Sequence, residues 1–210
     1  MVGKGVLLEC LEHPDVESVI LINRRSVGLE DPKLIEIIHS DLTDISEIKS
    51  QLSNVNAVFH CMGVSAVGLS EKEYSRLTYD VTKEIADTIY ELNPDSVFSY
   101  VSGTGTDSSE NGRMMWARVK GRTENYILNK GFKDAYAFRP GFILPMKGVK
   151  SSTGWYNAIY TILRPFFPLI KNSKGITTSV NLGKAMINAV LKPQELKHLE
   201  NPAINSLANS

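Results

Sequence analysis

Polar and glycine-containing segments follow the apolar runs of this sequence, and they hold the groups best suited to binding a ligand or doing chemistry. They offer hydroxyl, guanidinium and carboxylate groups, and glycines that allow a ligand to approach the backbone. In chain order these segments are Asn23-Arg24-Arg25, Asp41-Leu42, His60-Cys61-Met62-Gly63, Ser102-Gly103-Thr104-Gly105 and Arg139-Pro140-Gly141. Ligands bind beyond the carboxyl ends of the strands in open α/β sheets. If the apolar runs are parallel strands, a function is expected at these segments.

The apolar runs have the composition of buried strands, and helical patterns lie between most of them. β-Branched and aromatic residues are frequent in residues 18–22, 34–39, 57–61, 97–101 and 135–138. Helices are predicted over residues 6–11, 45–52, 70–92, 115–128 and 182–191. The third begins with Ser70 and Glu73, which match a capping box. Strands that alternate with helices predict a doubly wound parallel sheet, so the expected fold class is α/β.

The alternation of strands and helices stops near residue 147. We therefore expect one globule with a large domain at residues 1–146 and a small, helical C-terminal region at residues 147–210. The most apolar stretch of that region, residues 155–170, contains one arginine and two prolines. It is shorter than the about 20 residues that a membrane-spanning helix needs. It is predicted to pack or to form a dimer contact, and a homodimer is the expected assembly.

The charge and the cysteines exclude several classes of protein. The 210 residues include 23 Lys and Arg and 23 Asp and Glu, so the formal net charge is zero. Nucleic-acid and acidic-membrane binders usually carry a basic surface, so neither partner is expected. Cys10 and Cys61 are far apart in sequence and form no C-x-x-C pattern, so reduced core thiols are expected. The first residues lack the pattern of a secretory signal, so a cytoplasmic location is expected.

Taken together, the order and spacing of these segments resemble the extended and atypical branch of the short-chain dehydrogenase/reductase superfamily, the NAD(P)-binding proteins known as nucleoside-diphosphate-sugar epimerase-like. The resemblance covers about residues 1–145 and implies a Rossmann-like sheet. That family begins with a strand and T-G-x-x-G-x-x-G, of which Gly3 matches the third glycine alone. The family's first strand has no counterpart here. One hypothesis is that the sequence is incomplete at its N-terminus; the alternative is a real but impaired protein.

The resemblance implies cofactor contacts at several of the segments. NAD-binding members of the family carry an acidic residue where this chain has Asn23. The adjacent Arg24 and Arg25 favour the 2′-phosphate of NADP. NADP is therefore the expected cofactor, and NAD is less favoured. Asp41 and Leu42 would lie beside the adenine, although Asp41 could instead cap a turn. The remaining contacts implied are Gly3, Cys61, Met62, Gly63, Lys120, Pro140 and Gly141. The alternative for the two arginines is simple solvation, and for residues 61–63 an ordinary tight turn. His60 is predicted to be a satisfied core histidine.

The family's catalytic groups are a Ser or Thr together with Y-x-x-x-K on one helix. Lys120 stands at the lysine position and Thr104 at the Ser/Thr position, with Ser102 as a nearby substitute. Trp116 replaces the tyrosine, and an indole donates a hydrogen bond but does not act as acid and base near neutral pH. Ser108 is a further hydroxyl that could donate to a carbonyl.

Two functions from different classes follow from these residues. The first is an NADP(H)-binding reductase or epimerase acting on an unidentified small molecule. The second is a dinucleotide-binding regulatory module that lost its chemistry with the tyrosine. A weaker third possibility is a scaffold that assembles through residues 155–170.

Overall fold

The computed structural model describes residues 1–149 and 175–210, and these form parallel strands with helices packed on them. The strands are β1 (Val19–Asn23), β2 (Leu34–Ile38), β3 (Ala57–His60), β4 (Val97–Val101), β5 (Asp134–Arg139), β6 (Phe142–Leu144), β7 (Ile176–Thr178) and β8 (His198–Glu200). The α-helices are α1 (Val2–Glu12), α2 (Glu71–Ser75), α3 (Val81–Leu92), α4 (Met115–Leu128), α5 (Ser179–Leu191) and α6 (Asn201–Leu207). A 3₁₀ helix (Ser46–Leu52) follows β2, and a π-helical turn (Arg76–Asp80) joins α2 to α3.

Every strand pair found in the described residues is parallel. The largest sheet has four strands in the order β3-β4-β5-β8, while β1 pairs with β2 and β6 pairs with β7. The strands β4 and β5 are almost fully buried, as strands with helices on both faces must be. The predicted α/β class with a parallel, Rossmann-like sheet is confirmed.

The main sheet is interrupted between β3 and β1. In the described residues no backbone hydrogen bond joins these two strands, and each has a strand partner on one side alone. Both strands nevertheless pack against one apolar cluster, through Val58 of β3 and through Ile20 and Ile22 of β1. All five residues of β1 stay half-buried. The two sheets thus share an apolar layer without sharing backbone pairing, at the place where the family resemblance puts one more strand.

Glycines allow α1 and α5 to pack closely against each other. A Cβ atom on Gly5 would lie 2.7 Å from the Cβ of Ser179, and one on Gly183 would lie 2.6 Å from the Cγ of Glu9. Real Cβ atoms do not approach so closely, so a larger residue at either glycine would push the helices apart. This contact holds α1 against the rest of the fold.

Several predicted elements agree closely with the structure, and the C-terminal region differs most. The helix α4 and the strand β4 have the predicted bounds, and the capping box of Ser70 and Glu73 is present. Sequence patterns did not reveal β6, β7 and β8, which are three residues each and too short to show periodicity. One of them, β8, belongs to the main sheet. The apolar stretch at residues 155–170 lies outside the described residues, and within them no helix is both long and apolar enough to cross a bilayer.

Candidate functional site

The loop after β4 meets the helix α4 at the carboxyl end of the main sheet, and this contact assembles the predicted catalytic residues. The ammonium group of Lys120 donates a hydrogen bond to the backbone oxygen of Ser102. The backbone amide of Thr104 donates to the oxygen of Pro140 at 3.1 Å. Three separate segments of the sequence, which contribute Ser102 and Thr104, Lys120, and Pro140, are therefore brought together.

A glycine on α4 makes the approach of this loop possible. A Cβ atom on Gly121 would lie 1.7 Å from the backbone oxygen of Asp107. The same loop is braced by Asp107, whose carboxylate accepts from the amides of Ser109 and Gly112. Sequence reasoning did not identify Gly121, because nothing in a helical pattern shows which glycine faces a loop.

Burial lowers the pKa of Lys120, since the ammonium is largely shielded from water, and the nearby Glu124 carboxylate partly opposes this effect. The charged amine therefore depends on the backbone oxygen it binds and on Glu124. A cation fixed in this way can hold the hydroxyl groups of a ribose or polarise a substrate oxygen.

The hydroxyl of Ser102 is engaged within the protein. Its Oγ donates to the buried carboxylate of Glu124, which also accepts from the guanidinium of Arg139. A second guanidinium nitrogen of Arg139 binds the hydroxyl of Ser108. Of the three hydroxyl groups considered from the sequence, that of Ser102 is buried, whereas Thr104 and Ser108 are exposed and Ser108 is bound by Arg139.

Thr104 has a carboxylate neighbour that the sequence did not reveal. Its Oγ lies 3.0 Å from the backbone oxygen of Arg139 and 3.1 Å from Oε2 of Glu200. A Cβ atom on Gly141 would lie 3.3 Å from the same Oγ, so this glycine keeps the hydroxyl accessible. Glu200 is distant in sequence and ends the short strand β8, which explains why no motif pointed to it.

Trp116 lies beside this cluster at the position where the resembled family has a tyrosine. Its Cη2 atom is 3.4 Å from where a Cβ on Gly105 would be, so the indole packs against the loop after β4. The nearest tyrosine further along α4, Tyr126, binds Asp87 instead. The site therefore has the lysine and the threonine, but α4 brings no phenol to them.

A second group of predicted residues surrounds a cavity at the end of β1. The cavity has a volume of about 620 Å³ and is lined by Asn23, Arg24, Arg25, Val27 and Ser40. Neither arginine forms an ion pair with any described residue. Two uncompensated guanidinium groups at an open cavity fit a phosphate ester, so the residues present are compatible with NADP.

The remaining predicted cofactor residues lie in two places, the contact between α1 and the loop after β3 and the turn after β2. A Cβ on Gly3 would lie 3.5 Å from the Cβ of Cys61, so the first turn of α1 does meet the loop after β3. Met62 and Gly63 follow in that loop, and the space at Gly63 is open. Asp41 caps a turn by accepting from the amide and hydroxyl of Thr43 at 2.9 and 2.6 Å, as the alternative interpretation held. These bonds lower the pKa of Asp41, and Leu42 beside it is half-buried.

Two further expectations concern histidine and metals. His60 is buried, and its Nε2 lies 3.1 Å from the hydroxyl of Thr82, which confirms a satisfied core histidine. Desolvation lowers its pKa to about 4. Among the described residues no cluster of His, Cys, Asp and Glu could hold a metal ion.

Comparison with known protein sequences finds distant relatives of this chain. No protein-family model matches the chain. It is 28% identical over 149 residues to Protein fmp52-1, mitochondrial, of Aspergillus terreus, covering 68% of this chain and 62% of that protein. It is 26% identical over 163 residues to Protein FMP52, mitochondrial, of Candida albicans, covering 76% of this chain and 69% of that protein. The cytoplasmic location expected from the sequence is contradicted, because these relatives are named as mitochondrial proteins.

Solved structures identify the architecture. A GalE-like L-threonine dehydrogenase from Cupriavidus necator superposes with a TM-score of 0.70 at 12% identity, covering 95% of this chain and 74% of that one. The UDP-N-acetylglucosamine 4-epimerase from Bacillus cereus gives 0.65 at 16% identity, covering 98% and 79%. The chain thus has the fold of the extended short-chain dehydrogenases/reductases and sugar-nucleotide epimerases that its motifs resemble.

Proposed function

We propose that this protein binds NADP(H) and acts as a reductase or epimerase-like oxidoreductase on a small carbonyl or alcohol substrate. The observation that carries the proposal is the convergence of Lys120, Thr104 and Pro140 at the carboxyl end of the main sheet. In this fold that edge is where ligands bind. The dehydrogenase and the epimerase that share this fold support an oxidoreductase or epimerase function.

The residues of the site would have distinct roles in this reaction. Bound NADPH would supply a hydride to the carbonyl carbon of the substrate. Thr104 donates a hydrogen bond to the substrate oxygen, and Lys120 holds the ribose hydroxyl groups. Trp116 forms one wall of the nicotinamide pocket. Cys61, Met62, Gly63 and Leu42 surround the adenosine, and Pro140 and Gly141 present backbone to the nicotinamide.

Preference for NADP over NAD rests on Arg24 and Arg25. The 2′-phosphate would enter the cavity that these two guanidinium groups line. A hydrogen bond to a charged group contributes about 1.5–3 kcal/mol, which corresponds to a preference of at least about 10-fold for NADPH. Among the described residues the lining of the cavity contains no carboxylate to bind an unmodified ribose in the way NAD-specific proteins do, and the carboxylate at its edge, Glu36, already accepts from the amide of Val27.

Fluorescence titration with NADPH and with NADH tests the proposal directly. We expect tighter binding of NADPH, and loss of this preference when Arg24 and Arg25 are both changed to Ala. Lys133→Ala is the matched control, because this exposed lysine precedes β5 at the opposite end of the sheet. Absence of binding by either nucleotide would refute the proposal.

A second candidate function is a dinucleotide-binding regulatory module without turnover. The observation favouring it is Trp116, which leaves α4 with no phenol beside Lys120. Tight NADPH binding without consumption across a panel of carbonyl compounds would support the module. Consumption of NADPH would support the enzyme.

We also propose a mitochondrial location, which the names of the fungal relatives support. A fluorescent protein fused at the C-terminus and imaged with a mitochondrial marker tests it. A diffuse signal that excludes the marked organelles would count against this location.

A further inference from the structure

We propose that Glu200 exchanges the substrate proton through the hydroxyl of Thr104, in the role that the missing phenol would otherwise fill. This inference rests on the proposed function, because it needs a substrate oxygen at Thr104. It adds a residue to which no sequence motif pointed.

The hydrogen-bond count at Thr104 points to a relay. The Oγ atom has one hydrogen but lies within hydrogen-bond distance of two acceptors, the backbone oxygen of Arg139 at 3.0 Å and Oε2 of Glu200 at 3.1 Å. When Glu200 is ionised, the two acceptors compete for that hydrogen. When Glu200 is protonated, it donates to Thr104, and the Thr104 hydrogen is then shared between the backbone oxygen of Arg139 and a substrate oxygen placed beside it. One hydroxyl can thus receive a proton on one side and pass one on the other.

The residues around Glu200 hold it in place. Asn201, the next residue, accepts from the amide of Gly141 at 3.1 Å, which ties the start of α6 to the loop after β5. Nη1 of Arg139 lies 4.0 Å from Oε1 of Glu200. The other two guanidinium nitrogens of Arg139, Nε and Nη2, donate to Glu124. Among the described residues, the other charged or titratable groups facing this cluster are Lys120 from α4 and His198 from β8.

Glu200 also has access to water, which a proton relay needs. Its side chain is 46% exposed, whereas that of Glu124 is 0% exposed and bound to a guanidinium. Asp107 is used to brace its own loop. Among the carboxylates named around Thr104, Glu200 is the one that can exchange protons with solvent.

Hydride and proton transfer balance in this reaction. In reduction, the carbonyl carbon accepts a hydride from NADPH, and the new alkoxide takes the hydrogen of Thr104. Thr104 regains a hydrogen from protonated Glu200, which becomes a carboxylate and is reprotonated by water. The products are the alcohol and NADP⁺. Oxidation of an alcohol runs the same transfers in reverse and leaves the proton on Glu200.

The test uses the full chain, NADPH, and a panel of an aldehyde, a ketone and 9,10-phenanthrenequinone as probes. We expect kcat for reduction to fall as the pH rises. Glu200→Gln should lower kcat at least about 10-fold and flatten this pH dependence, because a positioned acid contributes about 10²–10⁴-fold. Thr104→Val should have a similar effect, and the double variant should be no worse than either single one. Glu195→Gln, at an exposed carboxylate before β8, is the control.

The outcomes separate this inference from the proposed function. If NADPH binds with unchanged affinity in Glu200→Gln and the pH dependence disappears, the relay is supported. If the pH profile survives in that variant, or if wild type binds NADPH but reduces none of the probes, the relay is wrong while cofactor binding stands. If wild type does not bind NADPH, the proposed function fails, and the relay fails with it.

Discussion

The carboxylate of Glu124 on α4 is completely buried and accepts hydrogen bonds from the guanidinium of Arg139 at the end of β5. Nε of Arg139 lies 3.0 and 3.2 Å from the two carboxylate oxygens. Glu124 is 0% exposed and Arg139 14%. The pair joins the helix that carries Lys120 to the strand that leads to Pro140 and Gly141, so it fixes the two sides of the candidate site relative to each other.

Removing one member of this pair should be costly. Arg139→Met leaves an uncompensated charge in the interior, for which the expected loss is about 3–5 kcal/mol of the free energy of unfolding. Urea unfolding measures it. The double variant Arg139→Met with Glu124→Leu should recover much of the loss, because the unpaired charge is then gone. Equal stabilities of Arg139→Met and wild type would contradict the pairing.

Gly121 should not tolerate even one additional methyl group. The new Cβ of Gly121→Ala would clash with the backbone oxygen of Asp107, and backbone cannot move as a flexible side chain can. We expect a loss of about 3 kcal/mol, at the upper end of overpacking costs. Gly63→Ala is the control for stability, since nothing lies within 4 Å of that position. Comparable thermal unfolding of the two variants would argue against the close contact.

His60 should make the protein less stable in acid. Its pKa is lowered from 6.5 to about 4, so the unfolded chain takes up a proton first as the pH falls. Stability is therefore fully present above pH 6.5 and lost toward pH 4, by about 3 kcal/mol in total. The free energy of unfolding measured by urea from pH 7 to pH 4 should fall less steeply in His60→Gln. Parallel pH curves for the two proteins would show that another group is responsible.

Unpaired strand edges should be visible in hydrogen exchange. Within the described residues β4 has partners on both sides while β1 and β3 each have one, so alternate amides of β1 and β3 should exchange quickly. Those of β4 should be slow, and mass spectrometry of exchanged peptides resolves the difference. Uniformly slow exchange along β1 would show that its second edge is covered.

Restoring a phenol on α4 tests the significance of Trp116. Trp116→Tyr places a tyrosine four residues before Lys120, on the same face of the helix. The buried cation should favour the phenolate, so reduction of 9,10-phenanthrenequinone by NADPH should become at least about 10-fold faster. Trp116→Phe is the matched variant without a hydroxyl. Equal rates for the two variants would mean that the position does not reach the substrate.

Much of the architecture could be predicted from local patterns. The strands β1 to β5 and the helix α4 follow from runs of apolar residues and from helical spacing, which are local properties. The strand ends and the family resemblance pointed to Ser102, Thr104 and Lys120, and the structure places Lys120 against the backbone of Ser102. Three-residue strands carry too little pattern, which is why β8 and Glu200 at its end were missed.

The amino-acid sequence by itself determined the α/β alternation, the arginines at the end of β1 and the replacement of tyrosine by Trp116. The tertiary structure alone decided that the hydroxyl of Ser102 is bound by Glu124 and that Thr104 has Glu200 as a neighbour. Helical and strand periodicity depend on residues a few positions apart, whereas Thr104 and Glu200 are 96 positions apart. Contacts over that distance arise only when separate strands are placed side by side in one sheet, and no local pattern records which ends will meet.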